Sequence, residues 1–596
     1  MKKKSTSYTP IVDVKAFRSG RAIFLSGIVG VISGLGAIVF NFMVFGCSDL
    51  FIIMGLGWEK VQVSQDAILL IPAEGLRYWL LPLVPALGGL MSGLLVFTLA
   101  PEAEGHGTDA YIRAFHKLRG KIRGRIPIIK TIASAITIGS GGSAGREGPI
   151  VQIGAGFGSW LGQILKLDAR ECRILMIAGT AGGIGAIFSA PLGGAILAIE
   201  ILYMNQEMET EGLIPAIISA LISYSVFSTL TGQTQIFHTP EFEFHASELI
   251  PYALLGVVCA FVGILYVIIF YGMRDFLFKK IPIMPHFLPM IGGLLMGLLA
   301  LLRPEILSGG YGWIERALNE DLGISFMFSL VIFKILATSF TVSSGGSGGV
   351  FGPSLFIGCM LGATFGQTFE LYFPNVIQDP RSFALVGMVA FFSGISKVPI
   401  SGLLMVTEMS QSYQLLVPMM LVASLTYVLT GRWSLYEEQV WSKADSPAHF
   451  GEYRTDVLAG MKVKEIEVRH GFQVIPYNRT LRQILPVVME SSQNIFPVMN
   501  EKGEITGLFS IEELRALLLQ EHVYDLIVAM DIATPEFDFA TPEEDLHSVL
   551  RKMTKLTTDE IPVMDEQTLQ FKGVINRRDI LNLYSRRLVE IEQTAF

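Results

Sequence analysis

The chain has 596 residues, of which 51% are hydrophobic and only 16% are charged, and its formal net charge is −8. This composition excludes an ordinary soluble globular protein and indicates an α-helical, polytopic membrane protein. The charge belongs to no single surface, so it gives no reason to expect a nucleic-acid partner.

A basic segment at residues 1–21 leads into the first predicted span, a charge-free run over residues 22–48. This run exceeds the roughly 20 residues that a helix needs to cross a bilayer. Similar runs cover residues 78–101, 249–273 and 281–302. Basic residues also cluster at 117–125, and such clusters favour the cytoplasmic side of a membrane. We therefore expect a multi-pass protein of the cell (plasma or inner) membrane, with residues 1–17 as a cytoplasmic N-terminus.

A glycine-rich sequence occurs twice, 204 residues apart (140 to 344). Residues 140–149 read SGGSAGREGP and residues 344–353 read SGGSGGVFGP, and both copies lie in long apolar stretches. A second pattern of proline, glycine and glutamate begins at Pro191 and recurs from Pro399 with the same internal spacing. Pairs of glycine-broken apolar segments point to a substrate site near the middle of the membrane.

The two glycine-rich sequences are predicted to bind an anion through the backbone. Glycines let successive amide N–H groups converge, and a helix N-terminus carries unpaired N–H groups and about half a positive charge. Because these donors are neutral, the anion binds weakly enough to be released. The predicted anion-binding residues are Gly145, Arg146, Gly148, Gly349, Val350 and Phe351. Arg146 either adds positive potential near the outer mouth or extends toward the membrane surface, and the sequence leaves both readings open.

Glu147 lies inside the first glycine-rich sequence, two residues before Pro149, whereas Phe351 occupies the matching place in the second. A carboxylate carries the same negative charge as a halide-sized anion and would compete for the same amides. We therefore predict that ionised Glu147 closes the outer end of the pathway, and that its protonation or displacement opens it. The alternative is a helix-capping acid whose charge only stabilises the helix terminus.

Four short sequences, in this order and spacing, carry a resemblance to a known family. They are Gly105-His106-Gly107, Gly145-Arg146-Glu147-Gly148-Pro149, Gly349-Val350-Phe351-Gly352-Pro353, and Tyr413 within residues 409–415. Residues 18–431 thereby resemble the CLC family of chloride channels and chloride/proton antiporters, with repeat halves of about 18–240 and 241–431. The resemblance implies an inverted repeat with broken helices and a voltage-gated homodimer with one pathway in each subunit. It also assigns Glu147 the role of gating glutamate.

The Gly105-His106-Gly107 sequence and Tyr413 are expected to bind the anion at the inner end of the pathway. Where the family commonly has serine between the glycines, this chain has His106, which donates through a ring N–H. Protonation would add a full charge, so anion affinity would rise as the pH falls. The alternative is that His106 caps a helix start and points away. Tyr413 would contribute its phenolic O–H, the alternative being a tyrosine of the interfacial belt.

Proton coupling would need an internal titratable group that passes protons to Glu147. In CLC antiporters this is usually a glutamate directly after the acid that corresponds to Glu200, and this chain has Ile201 there. Glu200 itself is a weak candidate for the proton relay, because Glu408 occupies the symmetric place and both would brace helices. We therefore predict a passive chloride channel, with a chloride/proton antiporter of the same family as the alternative.

Composition changes sharply after Gly431, where long apolar runs end and charges become frequent. Residues 432–456 are expected to form a linker, and the rest of the chain to form a soluble cytoplasmic domain. This domain is also duplicated, because FPVM at residues 496–499 returns as IPVM at residues 561–564. In each copy a helical stretch precedes this strand, and a glycine turn, a second strand and a closing helix follow it.

The two units, residues 457–520 and 521–596, resemble a tandem pair of CBS motifs, which are small α/β modules that often bind adenine nucleotides. Family members usually carry Ser or Thr after the second strand and Asp three residues on. The corresponding positions here hold Ser510 and Glu513 in the first unit, and Asn576 and Asp579 in the second. Each unit departs from the pattern at one position. Nucleotide binding and a purely structural, dimer-forming module therefore remain the two alternatives.

No enzyme chemistry is indicated by the sequence. It contains no His-Glu-x-x-His zinc pattern, and no intramembrane histidine is placed to activate a hydroxyl such as that of Ser143. We expect no required cofactor and no bound metal, with chloride and related anions as the transported ions.

Overall fold

The computed structural model describes residues 14–62, 68–72, 77–232, 235–449, 458, 460–466, 472–491, 493–515, 517–535, 537–555, 558–565 and 570–594. The chain divides into two compact units, Met1–Ala448 and His449–Phe596. Most of the predicted N-terminal segment and residues 450–456 of the predicted linker lie outside the described residues.

The first unit consists mainly of apolar helices. Their bounds are Val14–Ser48 (α1), Leu83–Leu99 (α2), Thr108–His116 (α3), Arg125–Gly139 (α4), Glu147–Ile164 (α5), Ala169–Ile187 (α6), Pro191–Glu200 (α7), Leu213–Thr231 (α8), Leu249–Gly272 (α9), Leu288–Ala300 (α10), Tyr311–Asn319 (α11), Ile324–Ser343 (α12), Phe351–Tyr372 (α13), Ser382–Ser396 (α14), Pro399–Ser410 (α15) and Leu416–Leu429 (α16). A hairpin of β1 (Trp58–Gln62) and β2 (Ile68–Pro72) follows α1.

Within the described residues, five helical segments are long and apolar enough to cross a membrane. They are Gly20–Leu56, Tyr78–Leu99, Thr210–Thr231, Ala246–Lys280 and Ile324–Ser343. Shorter apolar helices, among them α7 and α14, complete the unit. Non-spanning helices are tolerated at membrane depth where the surrounding protein satisfies their ends.

The helices form two repeats in the same order, α1–α8 and α9–α16. Helix α5 packs against α6 as α13 packs against α14, and α1 packs against α8 as α9 packs against α16. The predicted inverted repeat with broken helices is confirmed, and the duplication extends far beyond the glycine-rich sequences.

The glycine-rich sequences are the breaks between consecutive helices. Residues 140–146 separate α4 from α5, and residues 344–350 separate α12 from α13. Gly141 has φ +99° and Gly345 has φ +93°, a backbone conformation that side-chain-bearing residues rarely adopt. These glycines let each chain turn within the packed interior and start a new helix.

Residues 432–448 are not a linker, which corrects the boundary expected from the sequence. Leu435 and Tyr436 are buried in the first unit, and the Leu435 N–H donates to the Ile395 carbonyl at 2.8 Å. Gln439 Nε2 donates to two backbone carbonyls of the helical unit at 2.9 and 3.1 Å. The polar and aromatic residues of this stretch therefore return into the helical unit with their polar groups paired.

The second unit contains two α/β repeats. Its strands are Ile475–Pro476 (β3), Ile495–Met499 (β4), Ile505–Ser510 (β5), Glu560–Met564 (β6) and Phe571–Asn576 (β7); its helices are Leu481–Glu490 (α17), Ile511–Arg515 (α18), Ala529–Ile532 (α19), Leu546–Lys555 (α20) and Arg577–Thr594 (α21). Strands β4 and β5 pair antiparallel, as do β6 and β7. Ile475 pairs in parallel with Val498, and Ala540 with Val563, so the two repeats share one topology.

The two cores of the second unit exchange short segments. Met461 and Val463 pack in the core of the second repeat, with Leu546 and Ile561. Ala529 packs in the core of the first repeat. The expected boundary between residues 520 and 521 therefore does not separate the two cores.

Candidate functional site

The two glycine-rich sequences meet each other directly, at a place that we call the loop junction. The Gly145 N–H donates to the Gly349 carbonyl at 2.7 Å, and the Gly349 N–H donates to the Gly145 carbonyl at 2.8 Å. Because these residues are equivalent in the two repeats, the reciprocal pair lies where a pseudo-two-fold axis relates the halves.

Side chains reinforce the loop junction in the same symmetric way. Ser134 Oγ lies 2.8 Å from Ser347 Oγ, and Ser143 Oγ lies 3.0 Å from Thr338 Oγ1. Each contact joins a helix of one repeat to the loop of the other. The two loops are therefore fixed against each other by side chains as well as by the backbone.

The Glu147 side chain lies in the loop junction and is only 3% exposed. A Cβ atom added to Gly349 or Gly352 would stand 3.1 or 2.9 Å from a carboxylate oxygen of Glu147, and one added to Gly145 would collide with it. The carboxylate thus fills the space that the three glycines leave, and Tyr311 Oη donates a hydrogen bond to Glu147 Oε1.

Two helix N-termini begin at the loop junction. Helix α5 starts at Glu147 and α13 starts at Phe351, so the positive ends of both helix dipoles lie beside the carboxylate. Val350 and Phe351 are buried, and the Phe351 ring packs 5.4 Å from that of Phe188 and 4.3 Å from that of Phe392. The second copy therefore offers backbone amides, while its phenylalanine encloses the site.

Arg146 is buried, so the reading in which it extends to the membrane surface is wrong. Its Nη1 donates to Asn41 Oδ1 at 2.6 Å, and its guanidinium lies 5.3 Å from the centre of the Tyr311 ring. The positive charge is therefore held next to the loop junction, as the other reading required.

His106 is buried beside the first turn of α5 and is 8% exposed. Its Nε2 is 3.2 Å from Asp109 Oδ2, and its ring centre is 5.4 Å from that of Tyr436. Gly148 packs so closely on the His106 carbonyl that a Cβ there would collide with it. The Gly105 carbonyl also accepts from the Gly348 N–H at 3.1 Å. The His106 segment therefore contacts both glycine-rich sequences.

Tyr413 is not part of this group, which corrects the expectation from the sequence. It follows the end of α15 and is 60% exposed, so its phenol does not reach the buried His106 segment. Tyr436 takes the place beside His106 instead. Tyr436 is not predictable from the sequence, because it lies in the stretch expected to form a linker and a lone tyrosine there gives no distinguishing signal.

A cavity of about 550 Å³ opens at the His106 segment, and we call this the His106 end. Its charged and titratable lining residues are Glu102, Glu104, His106, Asp109, Arg113, Tyr271, Arg274, Lys279, Glu437 and Glu438. A smaller cavity of about 80 Å³ lies at the other side of the loop junction, lined by Arg146, Gly310 and Tyr311 among others, and we call this the Glu147 end.

Two buried lysines also support the site, and neither is among the residues predicted from the sequence. Lys130 Nζ donates to the carbonyls of Ala103 and Gly105 at 3.0 and 2.7 Å. In the other repeat Lys334 Nζ makes the equivalent pair of bonds, at 2.8 and 2.7 Å. The signal that could have found them is their spacing, because both lie in apolar helices 204 residues apart (130 to 334).

Glu200 and Glu408 cap each other's helices. The Glu200 carboxylate accepts from the N–H groups of Ile400 and Ser401 at 3.0 and 2.7 Å, at the start of α15. The Glu408 carboxylate accepts from the N–H of Gly193 at 2.7 Å, at the start of α7. Both acids therefore stabilise a helix N-terminus in the other repeat.

The residues proposed for nucleotide contact lie at the starts of α18 and α21. Glu513 accepts from the Ser510 N–H at 2.6 Å, and Asn576 Oδ1 accepts from the Asp579 N–H at 2.8 Å. In both repeats these pairs satisfy local backbone donors.

Comparison with family models matches the model of voltage gated chloride channels at residues 88–431 and that of the CBS domain at residues 528–586. The chain is 29% identical over 420 residues to a ClcB-like protein of Ralstonia nicotianae, described as a candidate chloride channel, covering 69% of this chain and 95% of that protein. It is 30% identical over 403 residues to the H⁺/Cl⁻ exchange transporter ClcA of Yersinia pseudotuberculosis, covering 67% and 82%.

Solved structures show the same fold. A slow cyanobacterial Cl⁻/H⁺ antiporter aligns with a TM-score of 0.60 at 23% identity, covering 69% of this chain and 94% of the other. A eukaryotic CLC transporter aligns with a TM-score of 0.59 at 19% identity, covering 95% and 98%.

Proposed function

This chain belongs to the voltage-gated chloride channel family, known as CLC, and we propose that it conducts chloride passively through the loop junction with Glu147 as the gate. It is an anion transporter or channel and not an enzyme. The observation that carries the proposal is the position of the Glu147 carboxylate, which fills the space between Gly145, Gly349 and Gly352.

The closed state follows from the charge of that carboxylate. Two helix N-termini and the Tyr311 hydroxyl favour a negative group at the loop junction, and the Glu147 side chain supplies one. A chloride ion needs the same donors, so the two negative groups exclude each other. Protonation of Glu147 removes its attraction to the dipoles, and the side chain then yields the position to the anion.

At the His106 end, chloride meets a second set of donors. Gly105, His106 and Gly107 line the large cavity, and the Tyr436 ring lies 5.4 Å from the His106 ring. Lys130 holds the carbonyls of this segment in place through two hydrogen bonds. These groups replace part of the hydration shell that the ion loses.

The proposal also includes the orientation of the chain in the membrane and its assembly into a homodimer. Basic residues at 117–125 follow α3, and Arg113, Arg274 and Lys279 line the cavity at the His106 end. This distribution supports a cytoplasmic His106 end, with both termini in the cytoplasm. Each subunit of a homodimer has its own pathway, and the CBS pair serves assembly or regulation, with an adenine nucleotide as its candidate ligand.

Passive conduction is favoured over exchange because the two positions that would carry a proton toward Glu147 are not suited to that role. Ile201 cannot carry a proton, and the Glu200 carboxylate is occupied by the backbone of α15. Chloride/proton exchange is the second candidate, and the observation in its favour is that ClcA relatives at 30% identity are exchange transporters.

Reversal potentials in planar bilayers separate the two candidates. Purified protein is measured under opposed chloride and proton gradients, as the wild type and as Glu147→Gln. Passive conduction gives a reversal potential that follows the chloride gradient and ignores pH, with larger currents in Glu147→Gln. Uphill proton movement driven by chloride in the wild type would reject the channel, and unchanged currents in Glu147→Gln would reject the gate.

A further inference from the structure

Tyr311 is the first residue of α11 and lies at the Glu147 end of the pathway. Its side chain is 7% exposed, and its hydroxyl donates to the Glu147 carboxylate. The same oxygen would stand 2.9 Å from a Cβ atom on Gly352, so it reaches the first turn of α13. From this contact we propose that Tyr311 is a positioning residue that holds the gate closed and sets the pH at which the pathway opens. The inference rests on the proposed gating role of Glu147.

The Tyr311 ring has little freedom to move. It stacks on Phe237 with ring centres 5.8 Å apart and an interplanar angle of 20°, and the Arg146 guanidinium lies on it at 5.3 Å. One turn along α11, Glu315 accepts from the His238 N–H at 3.1 Å and so fixes the segment that carries Phe237. The hydroxyl is therefore held in place before any change in the gate, which lowers the entropic cost of its hydrogen bond.

The other charged or titratable groups near the Glu147 carboxylate lie on other elements, and two of them donate to other partners. The titratable and charged groups that face Glu147 are Tyr311 of α11, Arg146 of the preceding loop, Lys334 of α12 and Tyr436 of the returning segment. Lys334 donates to the carbonyls of Ile306 and Ser308, and Arg146 donates to Asn41. Tyr311, by contrast, donates its hydrogen bond to the Glu147 carboxylate itself.

A hydrogen bond to the ionised carboxyl favours the ionised, closed form over the protonated, open form. Removing the hydroxyl therefore makes protonation easier and opens the pathway at a higher pH. A bond to a charged group has a strength that corresponds to a shift of roughly one to two pH units in the half-activating pH.

The test measures chloride efflux from proteoliposomes with the same pH on both sides, over the range from acid to neutral. Tyr311→Phe keeps the ring and its stacking but loses the hydroxyl. We expect its half-activating pH to rise by roughly one to two units, with faster efflux at neutral pH. Tyr252→Phe is the matched control, because Tyr252 is also buried, stacks on Phe383 and bonds to Ser382 through its hydroxyl (2.8 Å) far from the gate. Its half-activating pH should equal that of the wild type.

Glu147→Gln separates a failure of this inference from a failure of the proposed function. Suppose that efflux through Glu147→Gln does not depend on pH and that Tyr311→Phe has the half-activating pH of the wild type. The gating role of Glu147 is then supported, and the positioning role of Tyr311 is wrong. If Glu147→Gln keeps the wild-type pH profile, the gate itself is wrong. In the double variant, the loss of the hydroxyl should add nothing to Glu147→Gln.

Incorporation of 3-fluorotyrosine at position 311 gives a second measurement that preserves the shape of the side chain. Its phenol is a stronger hydrogen-bond donor, so the half-activating pH should fall. This result is expected even if Tyr311→Phe does not fold, and an unchanged or raised half-activating pH in the fluorinated protein would overturn the inference.

Discussion

At the scale of single residues, Tyr436 and Tyr413 show that a short sequence motif does not always identify the tyrosine that lies at the site. Tyr413 follows a repeated glutamate pattern and looks like part of the membrane machinery, yet it is largely exposed. Tyr436 lies beyond the last apolar helix, and only the return of residues 432–448 into the helical unit brings it to His106. A short sequence pattern contains no information on contacts between segments that are so far apart in the chain.

Chloride binding distinguishes the two tyrosines. We expect Tyr436→Phe to weaken chloride binding by roughly 2- to 10-fold, because one neutral hydroxyl donor is lost from the His106 end. Tyr413→Phe is the matched control and should bind chloride like the wild type. Titration calorimetry on purified protein measures both. If Tyr413→Phe lost chloride affinity and Tyr436→Phe did not, Tyr413 and not Tyr436 would be the tyrosine that contacts the anion.

His106 gives a second prediction at this scale. His106→Ser replaces the ring N–H donor with a shorter hydroxyl donor at the same backbone position. We expect chloride affinity to change by roughly 2- to 10-fold, because one neutral donor at the His106 end is altered. Chloride and bromide titrations of the two purified proteins measure affinity and selectivity. Equal affinity and equal selectivity in the two proteins would remove His106 from the anion site.

At the scale of elements, the reciprocal caps of α7 and α15 join the two repeats. Glu200 binds the start of α15 and Glu408 binds the start of α7, so each short helix depends on an acid from the other half. The sequence predicted this bracing from the equal spacing of the two patterns. It could not predict the partner atoms, because spacing carries no information on which helix faces the carboxylate.

Glutamine at either position tests the role of these acids. Glu200→Gln and Glu408→Gln should each lower stability by about 0.5–2 kcal/mol, since a capping carboxylate is replaced by a weaker acceptor. Thermal unfolding in detergent measures the loss. Neither change should alter how the reversal potential responds to pH. A pH response that changes in Glu200→Gln alone would identify that residue as a proton relay.

The glycine loops were the most predictable elements of the site. Gly141 and Gly345 have positive φ, and close approaches at Gly148 and Gly349 leave no room for a Cβ atom, so the sequence had to carry glycines there. The Tyr311 contact with Glu147 was not predictable. The two residues are 164 positions apart, and many side chains could in principle occupy the start of α11.

At the scale of the whole molecule, both duplications were visible in the sequence, and the helical repeat is confirmed. The exchange of segments between the two cores of the second unit was not visible, because residues 460–466 carry no repeat of their own. These residues are joined to the second repeat by Lys462 and Lys464, whose ammonium groups lie 2.6 and 2.8 Å from Glu543.

This ion-pair cluster predicts a pH dependence for the second unit. The two lysines lower the pKa of the Glu543 carboxyl to about 2. The two ion pairs therefore stabilise the folded unit fully at pH values above the ordinary pKa of a glutamate, about 4.3. This contribution to the free energy of unfolding is lost as the pH falls toward 2. In the fragment His449–Phe596, the melting temperature of the wild type should exceed that of Glu543→Gln near neutral pH, and the difference should shrink by about pH 3. Glu512→Gln is an exposed control, and a pH-independent difference for Glu543→Gln would contradict the ion pairs.

The central claim is that an anion and the Glu147 carboxylate compete for one position at the loop junction. Crystals of the wild type and of Glu147→Ala grown in bromide test it most directly, because the anomalous signal locates the ion without reference to transport. We expect a bromide between Gly145, Gly349 and Gly352 in Glu147→Ala and none at that position in the wild type. A variant without bromide there, or bromide there in both proteins, would contradict the account.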